Sequence, residues 1–150
     1  MRKHDPGKII ALLLSFGILF TACSGPLFGG AQNLEITDST GHTVTLQGLP
    51  QEITIAGKAS VMVQDAVFMF QEAEERITAL ENRRQSVFDF LPVVDPVIED
   101  RALFEMGAGP EQIAAVNPDL VLMKNFMKES LGEQLESLGI PVLYLNLETP

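Results

Sequence analysis

The side chains able to do chemistry in this sequence are few, and most are basic or amidic. Gly57-Lys58-Ala59-Ser60 gathers a glycine, an ammonium and a hydroxyl. Asn82-Arg83-Arg84 sets an amide beside two guanidinium groups, and Lys124-Asn125-Phe126 adds an ammonium, an amide and an aromatic ring. Such groups bind carboxylates and other oxyanions, and guanidinium does so in bidentate geometry. The chemistry on offer is therefore capture of an anion. Arg83 and Arg84 have a second reading, as solvated side chains pairing with Glu81 and Asp89. Catalytic and nucleotide patterns fail. A phosphate-cradling loop needs glycine five before Gly57, where Glu52 stands, and Ser or Thr after the lysine, where Ala59 stands. Neither G-x-G-x-x-G nor G-x-S-x-G occurs. Metal ligands are scattered: His4 lies near the amino end, and His42 reads as a solvated turn residue. Cys23 is the only cysteine, which excludes an intrachain disulfide. No enzyme and no bound cofactor are expected.

The elements that position these residues follow from periodicity. Leu34 to Thr37 and Val44 to Leu46 alternate apolar and polar residues around Asp38-Ser-Thr-Gly41, which predicts a β-hairpin. Ile53 to Ala56 is a short strand, and Ser60 is the expected cap of a helix running from Val61 to about Glu75. That helix is expected to bury Val63, Ala66, Val67 and Phe70, with Met62 and Met69 widening the stripe. Arg76 to Leu80 reads as the next strand, Glu81 to Ser86 as a loop, and Val87 to Leu91 as a helical turn ended by Pro92. Val93 to Gly109 reads as a loop with short helical pieces. Pro110 suits a first helical position, Glu111 the first turn, and Asn117-Pro118-Asp119 a stop. Leu120 to Met123 is a wholly apolar strand of the kind buried on both faces of a parallel sheet. Ser130 to Leu138 is a helix with Leu131, Leu135 and Leu138 on one face, closed by Gly139, and Pro141 to Leu147 is the fourth strand. Strand alternating with helix is an α/β pattern with a parallel sheet. Ligands of such sheets sit at the carboxyl ends of the strands. Here those ends are Gly57 to Ser60, Glu81 to Arg84, Lys124 to Phe126 and Asn146 to Thr149.

The 150 residues allow one domain, with 10 basic against 20 acidic side chains and a net charge of −10. A surface so acidic excludes nucleic acid as a partner. Arg2, Lys3 and Lys8 precede the apolar stretch Ile9 to Phe20, too short for an ordinary membrane span, and Leu19-Phe-Thr-Ala-Cys23 follows. This resembles a lipoprotein signal over residues 1–22, with Cys23 acylated as the new amino terminus. Residues 23–33, rich in glycine, form a lipid-anchored tether. The expected location is the cell envelope, facing the periplasm or exterior.

Three segments carry a family resemblance. Gly109 to Met123 resembles the E-x-I-x-x-x-x-P-D-L-V stretch of the substrate-binding lipoproteins of ABC importers, in the branch handling ferric siderophores, haem and cobalamin. Glu35 to Thr45 resembles the opening hairpin of that family, and Leu138-Gly-Ile-Pro-Val its L-G-I-P-V segment. The resemblance covers roughly residues 34–150. It implies the Rossmann-like amino-terminal lobe of a class III periplasmic-binding-protein fold, with the second lobe absent and the chain truncated. It implies capture of a chelated iron compound and delivery to a membrane permease driven by an ATPase. The positions expected to meet ligand are those the strand ends supply: Gly57, Lys58, Ala59, Ser60, Asn82, Arg83, Arg84, Lys124, Asn125 and Phe126. Glu111 stands where the family carries a permease-docking glutamate, although a helix-end acid explains it equally. Two further readings are an oxyanion- or cobalamin-binding member of the family, and a lipoprotein with a structural or adhesive role. Thr149-Pro150 suits the start of another helix, and a lobe alone is expected to bind such a ligand weakly or not at all.

Overall fold

A two-stranded antiparallel hairpin and a five-stranded parallel sheet carry the chain through residues 33–82 and 91–148, the residues that the computed structural model describes. The signal segment, Cys23, Arg83, Arg84 and Thr149 lie outside the described residues. In the hairpin, β1 (Leu34–Thr37) pairs with β2 (Thr43–Leu46). Asp38 makes the turn: its carboxylate accepts bonds from Thr40 N–H at 2.8 Å, the Thr40 hydroxyl at 2.7 Å and His42 N–H at 3.0 Å. Burial pushes the Asp38 carboxyl up. The bonds from Thr40, His42 and Tyr144 outweigh it and hold the group below its ordinary value.

The sheet comprises β3 (Ile53–Ile55), β4 (Ile77–Glu81), β5 (Ala102–Phe104), β6 (Leu120–Lys124) and β7 (Val142–Leu145). Its order is β5-β4-β3-β6-β7, with every pair parallel. Winding starts at β3 and proceeds outward in both directions, so it reverses between β3 and β6. Helices α1 (Ser60–Val67), α2 (Ala73–Arg76), α3 (Leu91–Val94), α4 (Pro110–Ala114) and α5 (Glu133–Ser137) lie in the connections. All five residues of β6 are buried. Leu120 and Leu122 join a core with Ile55, Val63, Phe68, Ile77 and the hairpin's Val44 and Leu46. Val121 and Met123 join a separate core with Ile113, Leu135, Val142 and Tyr144. Alternate β6 residues thus feed both layers, as a strand covered on both faces must. Each such side chain contributes roughly 1.5–3 kcal/mol on leaving water.

Several boundaries differ from the sequence reading. Ser60 is the first helical residue; the cap is Ala59, in the left-handed region at φ 58°, with no side-chain cap bond. The helix ends at Val67, so the 3.6-residue phase is lost. Phe68 is buried in place of Phe70, which is 68% exposed, and Met69 is exposed too. Arg76 ends α2 rather than opening a strand, and Glu81 belongs to β4. Pro92 lies within the α3 turn, where a missing N–H is harmless near a helix start. Three-residue β5 emerges from the stretch read as loop; it is an edge strand with Ala102 and Leu103 exposed, which hides the apolar signature. A π-type turn at Lys128–Gly132 precedes α5, and Leu138 is exposed because the helix has already ended. Gly139 closes it at φ 79°.

The amino ends of the strands are fastened by side chains reaching backbone. Asp119 accepts from Gln51 N–H at 2.7 Å and Glu52 N–H at 3.1 Å, which fixes the entry to β3. Arg76 donates to Pro50 C=O at 3.1 Å. Arg101 grips the fully buried Asp95 carboxylate with two nitrogens and donates to Ile77 C=O, joining the starts of β4 and β5.

Candidate functional site

At the opposite end, the carboxyl ends of β3, β4, β5 and β6 carry two buried charges. Glu81 ends β4 and is 4% exposed. One of its carboxylate oxygens accepts from Gly57 N–H at 2.6 Å, the other from Gly107 N–H at 2.8 Å. Its carbonyl accepts from the amide of Gln64, buried in α1, at 2.7 Å. Gly57 has φ 94° and Gly107 φ 82°, a backbone region that L side chains rarely adopt. Glu81 therefore ties the turn after β3 to the turn after β5. It ends the strand and is not a loop residue.

Lys124 ends β6, and its side chain has no solvent exposure. Its ammonium lies 2.8 Å from a carboxylate oxygen of Glu148, an ion pair without hydrogen-bond alignment. The Glu148 side chain is 49% exposed. Beyond Lys124, a 3-10 turn at Asn125–Met127 leaves Asn125 half-buried and Phe126 54% exposed, while Met127 folds under the Gly57 turn. A Cβ at Gly57 would meet Met127 Cγ at 3.2 Å. The turns after β3 and β6 are therefore in contact at the point where the winding reverses, the crevice that takes the ligand in open α/β sheets.

The other expected positions fall around this crevice to different degrees. Lys58 and Ala59 are exposed in the turn after β3, and Ser60 is buried against Gln64, 3.4 Å from its amide. Asn82 follows Glu81, and its N–H donates to Phe104 C=O at 2.7 Å. A cavity of about 180 Å³ opens there, lined by Leu80, Asn82, Leu91, Ile98 and Leu103. A wider groove of about 470 Å³ lies at the amino ends, along Leu49, Pro50, Pro118 and Pro141, and no buried charge faces it. Volume favours that groove; chemistry favours the crevice, where an ammonium stands without an aligned acceptor.

The His42 side chain is 38% exposed in the hairpin connection, and its ring nitrogen faces acidic neighbours. Its Nδ1 lies 3.6 Å from Asp38 and 3.8 Å from Glu136, and its ring packs 6.2 Å from that of Tyr144. Tyr144 is fully buried and donates to Glu136 at 2.9 Å. Burial first, then the Glu136 bond and charge, raise its pKa far above the ordinary phenol. Glu111 is exposed in the first turn of α4. Among the described residues, no group of three or more His, Cys, Asp or Glu side chains is placed to hold a metal.

No protein-family profile matches the chain, and no curated protein matches it by sequence. Solved structures do. A periplasmic solute-binding protein from Veillonella parvula superimposes with a TM-score of 0.62 at 19% identity, over 79% of this chain and 36% of that one. SirA of Staphylococcus aureus, complexed with staphyloferrin B, gives 0.54 at 15%, over 75% and 36%. The petrobactin-binding protein YclQ of Bacillus subtilis gives 0.54 at 15%, over 78% and 39%. At such identities the likeness is one of fold. The described residues have the fold of part of a class III binding-protein lobe, a parallel sheet flanked by helices beside an antiparallel hairpin. The chain spans little more than a third of the length of these proteins.

Proposed function

We propose that this chain is the amino-terminal ligand-binding lobe of a substrate-binding protein serving an ABC importer, and that its cargo is an anionic, chelated iron compound. The observation that carries the reading is the buried Lys124 ammonium at the winding reversal between β3 and β6. A cation there, in a chain of net charge −10, favours an anion by local attraction and not by overall field. Two of the neighbouring structures are described by siderophores, staphyloferrin B and petrobactin, which supports a ferric chelate as cargo. The role is capture, without catalysis and without a resident cofactor. The remaining assignments belong to the same reading: a signal over residues 1–22, Cys23 acylated, a tether over 23–33 and a lobe over 34–150, held at the membrane face of the cell envelope. Glu111, exposed on α4, is the docking residue for the permease, through which the ATPase is reached.

A single ammonium suits an inorganic oxyanion equally well, and this is the second reading. A thermal-shift panel separates the two. Ferric siderophores, haem, cobalamin, phosphate and molybdate are offered to the longest form of the gene product, since bound ligand raises Tm by mass action. A shift with ferric chelates alone supports the iron reading. A shift with an oxyanion alone moves the protein to the second class. No shift with any leaves a structural or adhesive lipoprotein.

A further inference from the structure

The pairing of Lys124 with Glu148 is unequal, and the inequality points to how the crevice is controlled. The lysine is wholly enclosed, at the end of a strand whose every residue is buried. An enclosed ammonium needs a nearby anion, because only a close opposite charge offsets the loss of its hydration. Among the described residues Glu148 supplies that anion, at 2.8 Å. The glutamate has no matching need. Half of its side chain is in water, its contact with Nζ lacks hydrogen-bond alignment, and its N–H is held by Asn146 at 3.2 Å whether or not the carboxylate stays. Swinging the carboxylate into solvent costs the glutamate little and leaves the lysine unneutralised.

We infer that Glu148 is a displaceable internal counter-ion: a carboxylate-bearing ligand entering the crevice takes its place on Lys124, and Glu148 turns out to water. This rests on the anion-capture reading above and adds its regulation. The empty lobe is kept stable by its own glutamate, and every ligand must outcompete it. Glu148 then sets the affinity threshold. A weakly acidic molecule is turned away, and a polycarboxylate that aligns its oxygens with Nζ is taken.

The test uses the longest form of the gene product, with citrate as probe and sodium chloride at matched ionic strength as control. Thermal unfolding and amide NMR shifts are followed in the wild type, in Glu148→Gln, and in Glu148→Gln combined with Lys124→Gln. Glu148→Gln should lower Tm in chloride and recover it in citrate, with an apparent Kd at least ten-fold below that of the wild type. Shifts should centre on Gly57 and Asn125. The double variant should lose both the recovery and the shifts. Should it fail to fold, the single variant still decides, through the citrate-against-chloride difference. Equal citrate affinity in wild type and Glu148→Gln, with shifts at the crevice in both, would overturn the counter-ion and leave anion capture standing. Absence of citrate binding to either protein would overturn both.

Discussion

The two ends of the parallel sheet solve the same problem in different ways. At the amino ends, Asp119 accepts two backbone N–H groups from the entry to β3, and it does so in water. At the carboxyl ends, Glu81 accepts two backbone N–H groups from the turns after β3 and β5, and it is buried. Charged pairs divide in the same way. Asp95 and Arg101 are both enclosed, with two nitrogens on the carboxylate. Lys124 is enclosed while Glu148 is half in water. One end is closed by fixed pairings. The other holds its turns rigidly through Glu81 and leaves one cation on a partner that can be exchanged. A rigid rim around a replaceable contact is what a binding site requires, because ordering loops at the moment of capture lowers affinity.

The largest effect is expected at the fixed end. Asp95→Asn removes the charge facing the buried Arg101 and should cost about 3–5 kcal/mol in urea unfolding. A loss under 1 kcal/mol would mean that this end is not fastened as described. Glu81→Gln comes next. The amide keeps one acceptor oxygen and turns its NH2 toward the other glycine N–H, so about 1–3 kcal/mol should be lost. Amide exchange at Gly57 and Gly107 should quicken while Gln51 stays protected. Asp119→Ala removes both acceptors, but water replaces them, and about 0.5–1.5 kcal/mol is expected. If Asp119→Ala proved costlier than Glu81→Gln, burial would not be what separates the two ends. Smallest is Glu111→Arg, which reverses a favourable helix-end charge on an exposed side chain and should cost at most about 1 kcal/mol. Transport by the complete importer should nonetheless fall, with ligand affinity unchanged; lost affinity would place Glu111 in the fold or the crevice.

The fold was legible because its signals are local. Asp38 to Gly41 between alternating strands, the apolar run of β6 and the Gly139 stop each act within a few residues, and each appears in the structure. What the sequence concealed acts at long range. Glu81 meets N–H groups 24 and 26 residues away, and Asp119 meets groups 67 and 68 residues away. Asn-Pro-Asp therefore read as a helix stop, although its aspartate clamps β3. Glu81 and Lys124 read as loop residues because a charge after an apolar run usually marks the surface. Here both end the strand itself. A usable signal existed: two strands of one sheet each end on a charge, Glu81 after Ile-Thr-Ala-Leu and Lys124 after Leu-Val-Leu-Met. Phe70 was misplaced for another reason, since nothing local marks Val67 as the end of α1.

An anionic iron chelate entering at the carboxyl ends would reveal its position by paramagnetic broadening. Ferric citrate is added at millimolar concentration to the longest form of the gene product, so that the weak or absent binding expected of one lobe does not decide the outcome. Its unpaired electrons broaden amide signals only near the bound iron. Gallium citrate, of the same charge and without unpaired electrons, is the reference. Broadening of Gly57, Asn82 and Asn125, with Gln51, Asn117 and Gly139 unchanged, is the predicted result. Broadening along the groove at Leu49, Asp119 and Gly139 instead, or none anywhere, would mean that no chelate enters at the carboxyl ends.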